Sequence, residues 1–286
     1  MPLAAFLLVV VAALAHSTWN LLAKRAAHAK HLIWFSSVTE TVLFLPLAGW
    51  ALADSWSRLG SRAAAFLLAT GVLHLLYTES LLRGYRVGDL SVVYPLARGT
   101  GPLLSFFGAI LLLGERPSVV AGAGALLVIC GVLLLCGGGS LFRRGTSHGG
   151  LFWGTATGLT IACYTLVDGY SVRVLLVSPF VVEYAGNLLR TLVLSVRAYR
   201  DRASLAVEYR RYWKDALGIA VLTMGAYTLV LFAMRIAPVS RVSPLREMSM
   251  MIGAWFGVRF FGERDGARRM IASVLIAVGV AGLALG

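Results

Sequence analysis

Three ionisable side chains lie deep inside long apolar segments of the sequence: Arg98, Asp168 and Arg246. An ionised group in a bilayer core costs about 3 kcal/mol on insertion scales, so such residues first suggest binding sites or ion pathways. Each arginine lies roughly 10–13 Å along its segment, close to the midplane of a hydrocarbon core of about 30 Å. A guanidinium presents a bidentate fork to carboxylate or phosphate-type oxygens. The two arginines are therefore predicted to bind an anionic group; the structural alternative is neutralisation by Glu79, Asp168 or Glu247, which would lock helices together.

The carboxylates offer complementary chemistry. Asp168 or Glu79 could pair with a substrate ammonium or take up a coupling proton. Glu79 lies four residues before Arg83, so an interfacial salt bridge is its alternative. Glu247 directly follows Arg246, so the two side chains point in different directions on a helix. We expect Glu247 to face a neighbouring helix.

A third group begins in the first apolar segment, where His16, Trp19 and Asn20 share a face at i, i+3 and i+4. A histidine that titrates near neutrality, an indole and an amide suit a polar binding wall. Interhelical hydrogen bonding is the alternative. Histidine and tyrosine side chains in other segments are candidates for the same cavity: His74, Tyr77, Tyr94, Tyr164 and Tyr227.

The elements that must position these residues are membrane helices. The chain has 286 residues, of which 58% are hydrophobic and 14% charged, whereas a soluble domain carries about 25% charged residues. The net charge of +13 is spread in short clusters between apolar runs, as expected for membrane connections rather than for nucleic-acid binding. The three cysteines lie inside apolar runs without metal-ligand spacing, which predicts free thiols and no metal site.

A membrane span needs about 20 apolar residues, and this criterion predicts an all-α fold of about ten transmembrane helices. The first is predicted to be retained rather than cleaved as a signal peptide, since no Lys or Arg precedes it. The longest predicted connection is the basic stretch 197–214. The spans, numbered 1 to 10, are 3–23, 32–53, 63–82, 90–113, 118–136, 151–172, 175–196, 215–234, 239–261 and 267–286.

An internal repeat divides the chain into predicted halves 1–140 and 149–286. Span 4 contains Tyr94-Pro95-Leu96-Ala97-Arg98 and is followed by Gly-Glu-Arg at 114–116. Span 9 contains Ser243-Pro244-Leu245-Arg246-Glu247 and is followed by Gly-Glu-Arg at 262–264. Tyr-Thr pairs at 77–78 and 227–228 keep nearly the same offset. Because each half has five spans, the second half enters the membrane in the opposite sense, which is the inverted repeat typical of alternating-access transporters.

With these motifs, the sequence resembles the ten-helix EamA-type members of the drug/metabolite transporter superfamily. His16-Ser17-Thr18-Trp19-Asn20 is also similar to one branch of it. The resemblance implies an exporter or permease of a small polar or amphipathic metabolite, with no cofactor, as a monomer or homodimer in a bacterial inner membrane. Smaller four-helix relatives carry an essential glutamate in their first helix. Here His16 stands at the comparable position, which disfavours carboxylate-based cation antiport at that position.

The resemblance also places the cavity between spans 1, 3, 4, 6, 8 and 9. Spans 2 and 7 would then be peripheral, although they contain a second polar set. Glu183, Asn187 and Arg190 are spaced to form one stripe on span 7, and Glu40 lies in span 2. We expect this set to pair structurally or to form a lateral gate.

Charge and helix-end residues give further expectations. Odd-numbered connections hold seventeen Lys and Arg and even-numbered ones six, which places both termini outside the cytoplasm by the positive-inside rule. Relatives are generally drawn with both termini inside, so the two arguments disagree. Glu115 and Glu263 are expected to be interfacial anchors, and Pro95, Pro102 and Pro244 to kink their helices or act as hinges.

A secondary carrier is the leading function. The alternatives are a lipid-carrier flippase of the same fold, an intramembrane enzyme and a non-transporting scaffold. The sequence has no His-Glu-x-x-His, Gly-x-Ser-x-Gly or Asp-rich metal motif, so no catalytic residue is assigned.

Overall fold

The structure is a computed structural model that describes residues 1–26, 28–56, 59–88, 90–135, 148–261 and 266–286. Cys136, Glu263 and the Gly-Glu-Arg motif of the second half lie outside the described residues, as do Arg58, Arg143 and Arg144 of the charge count.

The described residues form eleven α-helices and no strands. Six of these helices are long and apolar enough to cross a membrane, and two segments, Val119–Leu135 and Met270–Leu285, are shorter apolar helices. Each of the ten predicted spans is helical, and the ninth is divided in two. The helices are α1 (Leu3–Arg25), α2 (Leu32–Ser55), α3 (Ser61–Val87), α4 (Leu90–Leu113), α5 (Val119–Leu135), α6 (His148–Arg173), α7 (Pro179–Arg200), α8 (Arg202–Ile236), α9 (Val239–Leu245), α10 (Met248–Phe261) and α11 (Gly266–Leu285).

The predicted basic connection at 197–214 is wrong, because this stretch is helical. α7 ends at Arg200, and α8 begins at Arg202 after a single residue, Asp201. Residues 202–214 contain strong helix formers and neither Gly nor Pro. At 35 residues, α8 is about 52 Å long and exceeds the hydrocarbon core, so its basic first turns extend beyond the membrane.

The ninth span is interrupted between α9 and α10. Pro244 lies near the end of α9, and after it Glu247 N donates to Pro244 O at 3.0 Å, an i to i−3 bond that tightens the turn. Arg246 and Glu247 therefore occupy the break itself. α4, by contrast, continues without interruption through Pro95 and Pro102.

Packing follows the two halves. α3 packs on α6, and the corresponding helix of the second half, α8, packs on α1. In the same way α4 packs on α6, and α10 packs on α1. α2 pairs with α7, and α5 pairs with α11. Exchanging the halves converts α3–α6 into α8–α1 and α4–α6 into α10–α1, and leaves the α2–α7 and α5–α11 pairs unchanged, as a two-fold relation between repeats requires. At the α5–α11 contact a Cβ on Gly124 would lie 2.7 Å from Gly279 O, so glycine is needed for this close approach.

The bundle has two unlike ends. Both termini meet at one end, where the Met1 ammonium donates to Ala284 O at 2.9 Å; we call it the terminal end. Most of the buried apolar residues form a single cluster that includes Val9, Val172 and Leu283 at this end and continues along α5 and α11 to Leu135 and Ala272. The opposite end has a small apolar cluster around Leu32, Phe35 and Ile219.

Candidate functional site

A polar cavity of about 190 Å³ lies in the middle of the bundle. It is far larger than the 10–15 Å³ that one water molecule needs, so it has room for a small molecule. Residues of α1, α2, α3, α4, α6, α7, α8 and the α9–α10 region contribute to its wall. The polar and aromatic lining residues are His16, Trp19, Ser36, Ser37, His74, Tyr77, Arg98, Tyr164, Glu183, Arg190, Thr223, Tyr227, Arg246 and Ser249.

The cavity lies on the side of the large apolar cluster that faces away from the termini. His16 and Trp19 are in the second half of α1, whereas Ile33 and Ser37 are in the first turns of α2. The adjacent halves of these two helices meet at the opposite end of the bundle. The cavity is therefore displaced toward that end, and packed apolar side chains fill the terminal end.

Arg98 lines the cavity and forms a buried ion pair. Its Nη2 lies 3.0 Å from Glu247 Oε2, across from α4 to the helix break. Arg98 Nε has no hydrogen-bond partner among the described residues. The structural alternative for Arg98 is thus realised with Glu247, while donor capacity remains at the cavity wall.

Arg246 has a different environment. Its Cζ lies 5.5 Å from the ring centroid of Tyr227, a distance that allows a cation–π interaction. Its Nη1 is buried without a hydrogen-bond partner among the described residues. Because a buried charged donor without a partner is costly, this nitrogen is suited to a bound acceptor.

Asp168 does not line the cavity but lies behind one of its walls. It is fully buried, and its Oδ2 accepts a hydrogen bond from Tyr227 Oη at 2.6 Å. The tyrosine stands between this carboxylate and the cavity. Asp168 therefore orients Tyr227, which lines the cavity.

Aromatic rings from three helices form one wall. His74 stacks on Tyr164 with centroids 4.2 Å apart and contacts Tyr227 edge-on at 5.6 Å. Tyr77 meets Tyr164 edge-on at 5.8 Å. His74 Nδ1 lies 2.9 Å from the carbonyl of Thr70; a carbonyl only accepts, so this nitrogen carries the proton and donates. The wall presents π faces and polar edges to the cavity.

His16 and Trp19 form a second contact pair. Trp19 Nε1 donates to His16 Nδ1 at 3.2 Å. Since an indole N–H can only donate, Nδ1 is the acceptor and the imidazole is neutral with its proton on Nε2. The pair presents an apolar ring and a neutral N–H group.

Besides Asp168, four predicted site residues lie outside the cavity lining. Asn20 is exposed, and its amide donates to His16 O at 2.7 Å. Glu79 pairs with Arg83 at 3.1 Å across one helical turn. Tyr94 donates to Met250 Sδ at 3.3 Å, and Glu247 contacts the cavity only through Arg98.

The family model of the EamA-like transporter family matches residues 3–137 and again residues 148–285. The chain belongs to this family. No curated protein matches the chain. A solved crystal structure at 20% identity covers 100% of this chain and 98% of its own with a TM-score of 0.72; at that identity the likeness shows the fold. The EamA-like family indicates a transporter of the drug/metabolite type, and the chain is a multi-pass membrane protein.

The expectation that spans 2 and 7 are peripheral in this EamA-like protein is wrong. Ser37 of α2, with Glu183 and Arg190 of α7, lines the cavity. α7 is placed inward by its polar stripe, because Asn187 Nδ2 donates to Ser37 O at 3.1 Å and to Thr41 Oγ1 at 3.0 Å. The spacing of this stripe was the sequence signal for a cavity wall.

Hydroxyl side chains of the lining gave no such signal. Thr223 Oγ1 donates to Ile219 O at 2.8 Å, and Ser36 Oγ donates to Ile33 O at 2.9 Å. Ser and Thr commonly bond to the preceding turn of their own helix. A hydroxyl that faces a cavity therefore has the same sequence pattern as one that faces lipid.

Glu115 is also corrected, from an interfacial anchor to a buried cap between the repeats. Its side chain is 8% exposed, and its carboxylate accepts hydrogen bonds from Val239 N at 2.7 Å and Ser240 N at 2.8 Å. Arg173 Nη1 lies 3.2 Å from the same carboxylate. Glu115 therefore ties the end of α4 to the start of α9.

Proposed function

We propose that this EamA-like protein is a secondary carrier for a small polar or amphipathic metabolite that bears an anionic group. The observation that carries the proposal is the guanidinium of Arg246, a residue that lines the cavity and whose buried Nη1 has no hydrogen-bond partner among the described residues. A carboxylate or phosphate-type oxygen supplies both the acceptor and the counter-charge. Arg98, neutralised by Glu247, adds donors without adding net charge.

The remaining wall fits the rest of such a solute. Tyr164 and His74 present stacked rings, and the His16–Trp19 pair presents a neutral polar edge. Rings of this kind bind an apolar or unsaturated portion, while Arg246 fixes the anionic end. A solute with both parts is small and amphipathic.

Alternating access is the proposed mode of movement. The inverted repeat supplies two near-equivalent arrangements around a central site. In the arrangement described, the apolar cluster and the Glu115 cap close the terminal end. Transfer would require this end to open while the opposite end packs.

A thermal-shift screen of the purified protein tests the proposal. Carboxylates, phosphonates and neutral sugars are compared, and an anionic ligand at about 100 times its Kd should stabilise the protein by about 2.7 kcal/mol. Arg246→Gln should abolish this shift. Arg83→Gln is the matched control, since Arg83 pairs with Glu79 outside the cavity and its loss should leave the shift intact. A shift that persists in Arg246→Gln, or one produced only by neutral sugars or lipids, contradicts the proposal.

A further inference from the structure

Two carboxylates and one guanidinium form a buried cluster between α2 and α7, composed of Glu40, Glu183 and Arg190. Glu40 is 1% exposed, and its Oε2 accepts a hydrogen bond from Thr223 Oγ1 at 2.9 Å. Its Oε1 is buried without a hydrogen-bond partner among the described residues. Glu183 is 8% exposed, lines the cavity and interacts electrostatically with both Glu40 and Arg190.

Arg190 neutralises this cluster incompletely. Its Nη2 donates to Asn187 Oδ1 at 2.7 Å and its Nε donates to Ser37 Oγ at 3.1 Å, and both acceptors are neutral. Its distance to Glu40 Oε2 is 3.8 Å, longer than a charge-assisted hydrogen bond. The cluster thus has one guanidinium for two buried carboxylates, and two like charges in such a site are strongly disfavoured.

When the charges on the surrounding helices are included, carboxylates in the described part of the chain still outnumber guanidiniums by one. The Arg98–Glu247 pair is neutral. α6 contributes Asp168 and the helix break contributes Arg246, on two sides of Tyr227. With Glu40, Glu183 and Arg190 included, the described residues around the cavity provide three guanidiniums and four carboxylates. α3 contributes His74, and α1 contributes His16, which is neutral. One bound proton therefore makes the set neutral.

We infer that the Glu40–Glu183–Arg190 cluster binds one proton and is the coupling-ion site of the carrier, separate from the anion site at Arg246. Glu183 exchanges the proton with water in the cavity: an O–H bond forms on a carboxylate oxygen as hydronium becomes water. Glu40, whose Oε1 lacks a partner, shares the proton from outside the cavity lining. The coupling role rests on the proposed function, whereas proton binding by the cluster does not.

Infrared difference spectroscopy of the purified protein tests proton binding. The protein is titrated without any substrate from about pH 5 to 9, a range chosen around the ordinary pKa values of carboxyl and imidazole groups. The wild type should show the C=O band of a protonated carboxylic acid that disappears as the pH rises. Glu183→Gln and Glu40→Gln should each remove that band. Glu183→Asp, which keeps the acid, should retain the band with a displaced midpoint.

Two controls locate the band. Glu79→Gln changes a carboxylate that is already paired with Arg83, and Asp168→Asn changes the buried carboxylate behind Tyr227. Glu79→Gln should leave the band unchanged, whereas Asp168→Asn should keep the band with a displaced midpoint, because Asp168 also acts electrostatically on Glu183. The inference is overturned if the wild type has no such band, if the band survives in both glutamine variants, or if Asp168→Asn alone removes it. Size-exclusion profiles identify any variant that is not folded. If a glutamine variant does not fold, the displaced midpoint of the band in Glu183→Asp is the test of proton binding by the cluster.

Coupling between proton binding and ligand binding is measured separately. The affinity of the anionic ligand is compared at the lowest and the highest pH of the titration. A carboxylate ionised throughout this range should bind with different affinity at low and high pH in the wild type and with one affinity in Glu183→Gln. Equal wild-type affinities would overturn the coupling role and leave the anion site intact. Arg246→Gln should lose ligand binding and keep the infrared band, with a midpoint displaced because Arg246 acts electrostatically on Glu183, so the two proposals fail independently.

Discussion

The fourth and ninth spans descend from the same sequence, yet they contribute unequally to the cavity. When they are aligned on Pro-Leu, Arg98 corresponds to Glu247 and Arg246 corresponds to Ala97. The corresponding pair, Arg98 and Glu247, forms an ion pair at 3.0 Å. Residues related by a two-fold axis meet only near that axis, so this pair marks the centre of the repeat.

The remaining position makes the site asymmetric. The first half has Ala97, which is buried in packing, whereas the second half has Arg246 at an interrupted helix. The Arg98–Glu247 pair at the centre of the repeat is neutral, and Arg246 is the guanidinium that has no charged counterpart in the other half. We conclude that symmetry builds the cavity and that a departure from symmetry gives it chemical preference.

The largest expected effect separates the two arginines by ligand affinity. Arg246→Ala should weaken binding of an anionic ligand by about 30-fold or more, since losing one partner of a buried charge pair costs about 2–5 kcal/mol. Arg246→Lys should lose less of the ligand affinity than Arg246→Ala, because lysine keeps the positive charge but not the bidentate fork. Arg98→Ala, whose charge is balanced by Glu247, should weaken binding less than Arg246→Ala. Calorimetric titration measures all three, and equal losses at the two arginines would remove the distinction between them.

The second effect concerns stability. Arg98→Ala leaves Glu247 buried without its counter-ion and should destabilise the protein by about 3–5 kcal/mol. The double variant Arg98→Ala/Glu247→Ala removes both charges and should recover much of that loss. Thermal unfolding in detergent measures the cycle. Additive losses from the two single substitutions would show that the ion pair does not contribute to packing of the helices.

These contrasts show which features were accessible from the sequence. Apolar length and the duplicated Pro-Leu and Gly-Glu-Arg motifs are sufficient for the ten spans, because bilayer thickness fixes helix length. Most of the predicted lining, including His16, His74, Tyr164 and Arg246, faces one cavity, since polar groups inside a membrane turn toward the protein interior. The pairing partners of these groups could not be predicted from the sequence in the same way. Pairing of Arg98 with Glu247 rather than Asp168 depends on how distant helices pack.

A third, smaller effect tests the closed terminal end. Glu115→Gln keeps the shape of the side chain but loses its charge contact with Arg173 and weakens the cap on α9. A helix cap contributes about 1 kcal/mol, so opening of this end should increase about fivefold. A single cysteine at Ala237, which is fully buried beside the cap, reports opening by its reaction with a membrane-impermeant maleimide in a background without native cysteines. An unchanged labelling rate would mean that Glu115 does not hold this end closed.

The smallest effect lies at the opposite end, where the α7–α8 junction meets the α1–α2 connection. Hydrogen bonds from Lys30 and His31 lower the pKa of Asp201, the residue between α7 and α8. A depressed folded-state pKa gives stability that is fully present above the unfolded value of about 3.9 and is lost as the pH falls through the folded value. Asp201→Asn should therefore remove a small stabilisation at neutral pH and flatten the stability profile below about pH 4. The contact is exposed and screened by salt, so the change in unfolding temperature should diminish at high ionic strength. A profile that stays the same in Asp201→Asn would show that this contact adds nothing to the end of the bundle toward which the cavity is displaced, and that the firm packing of the protein lies at the terminal end.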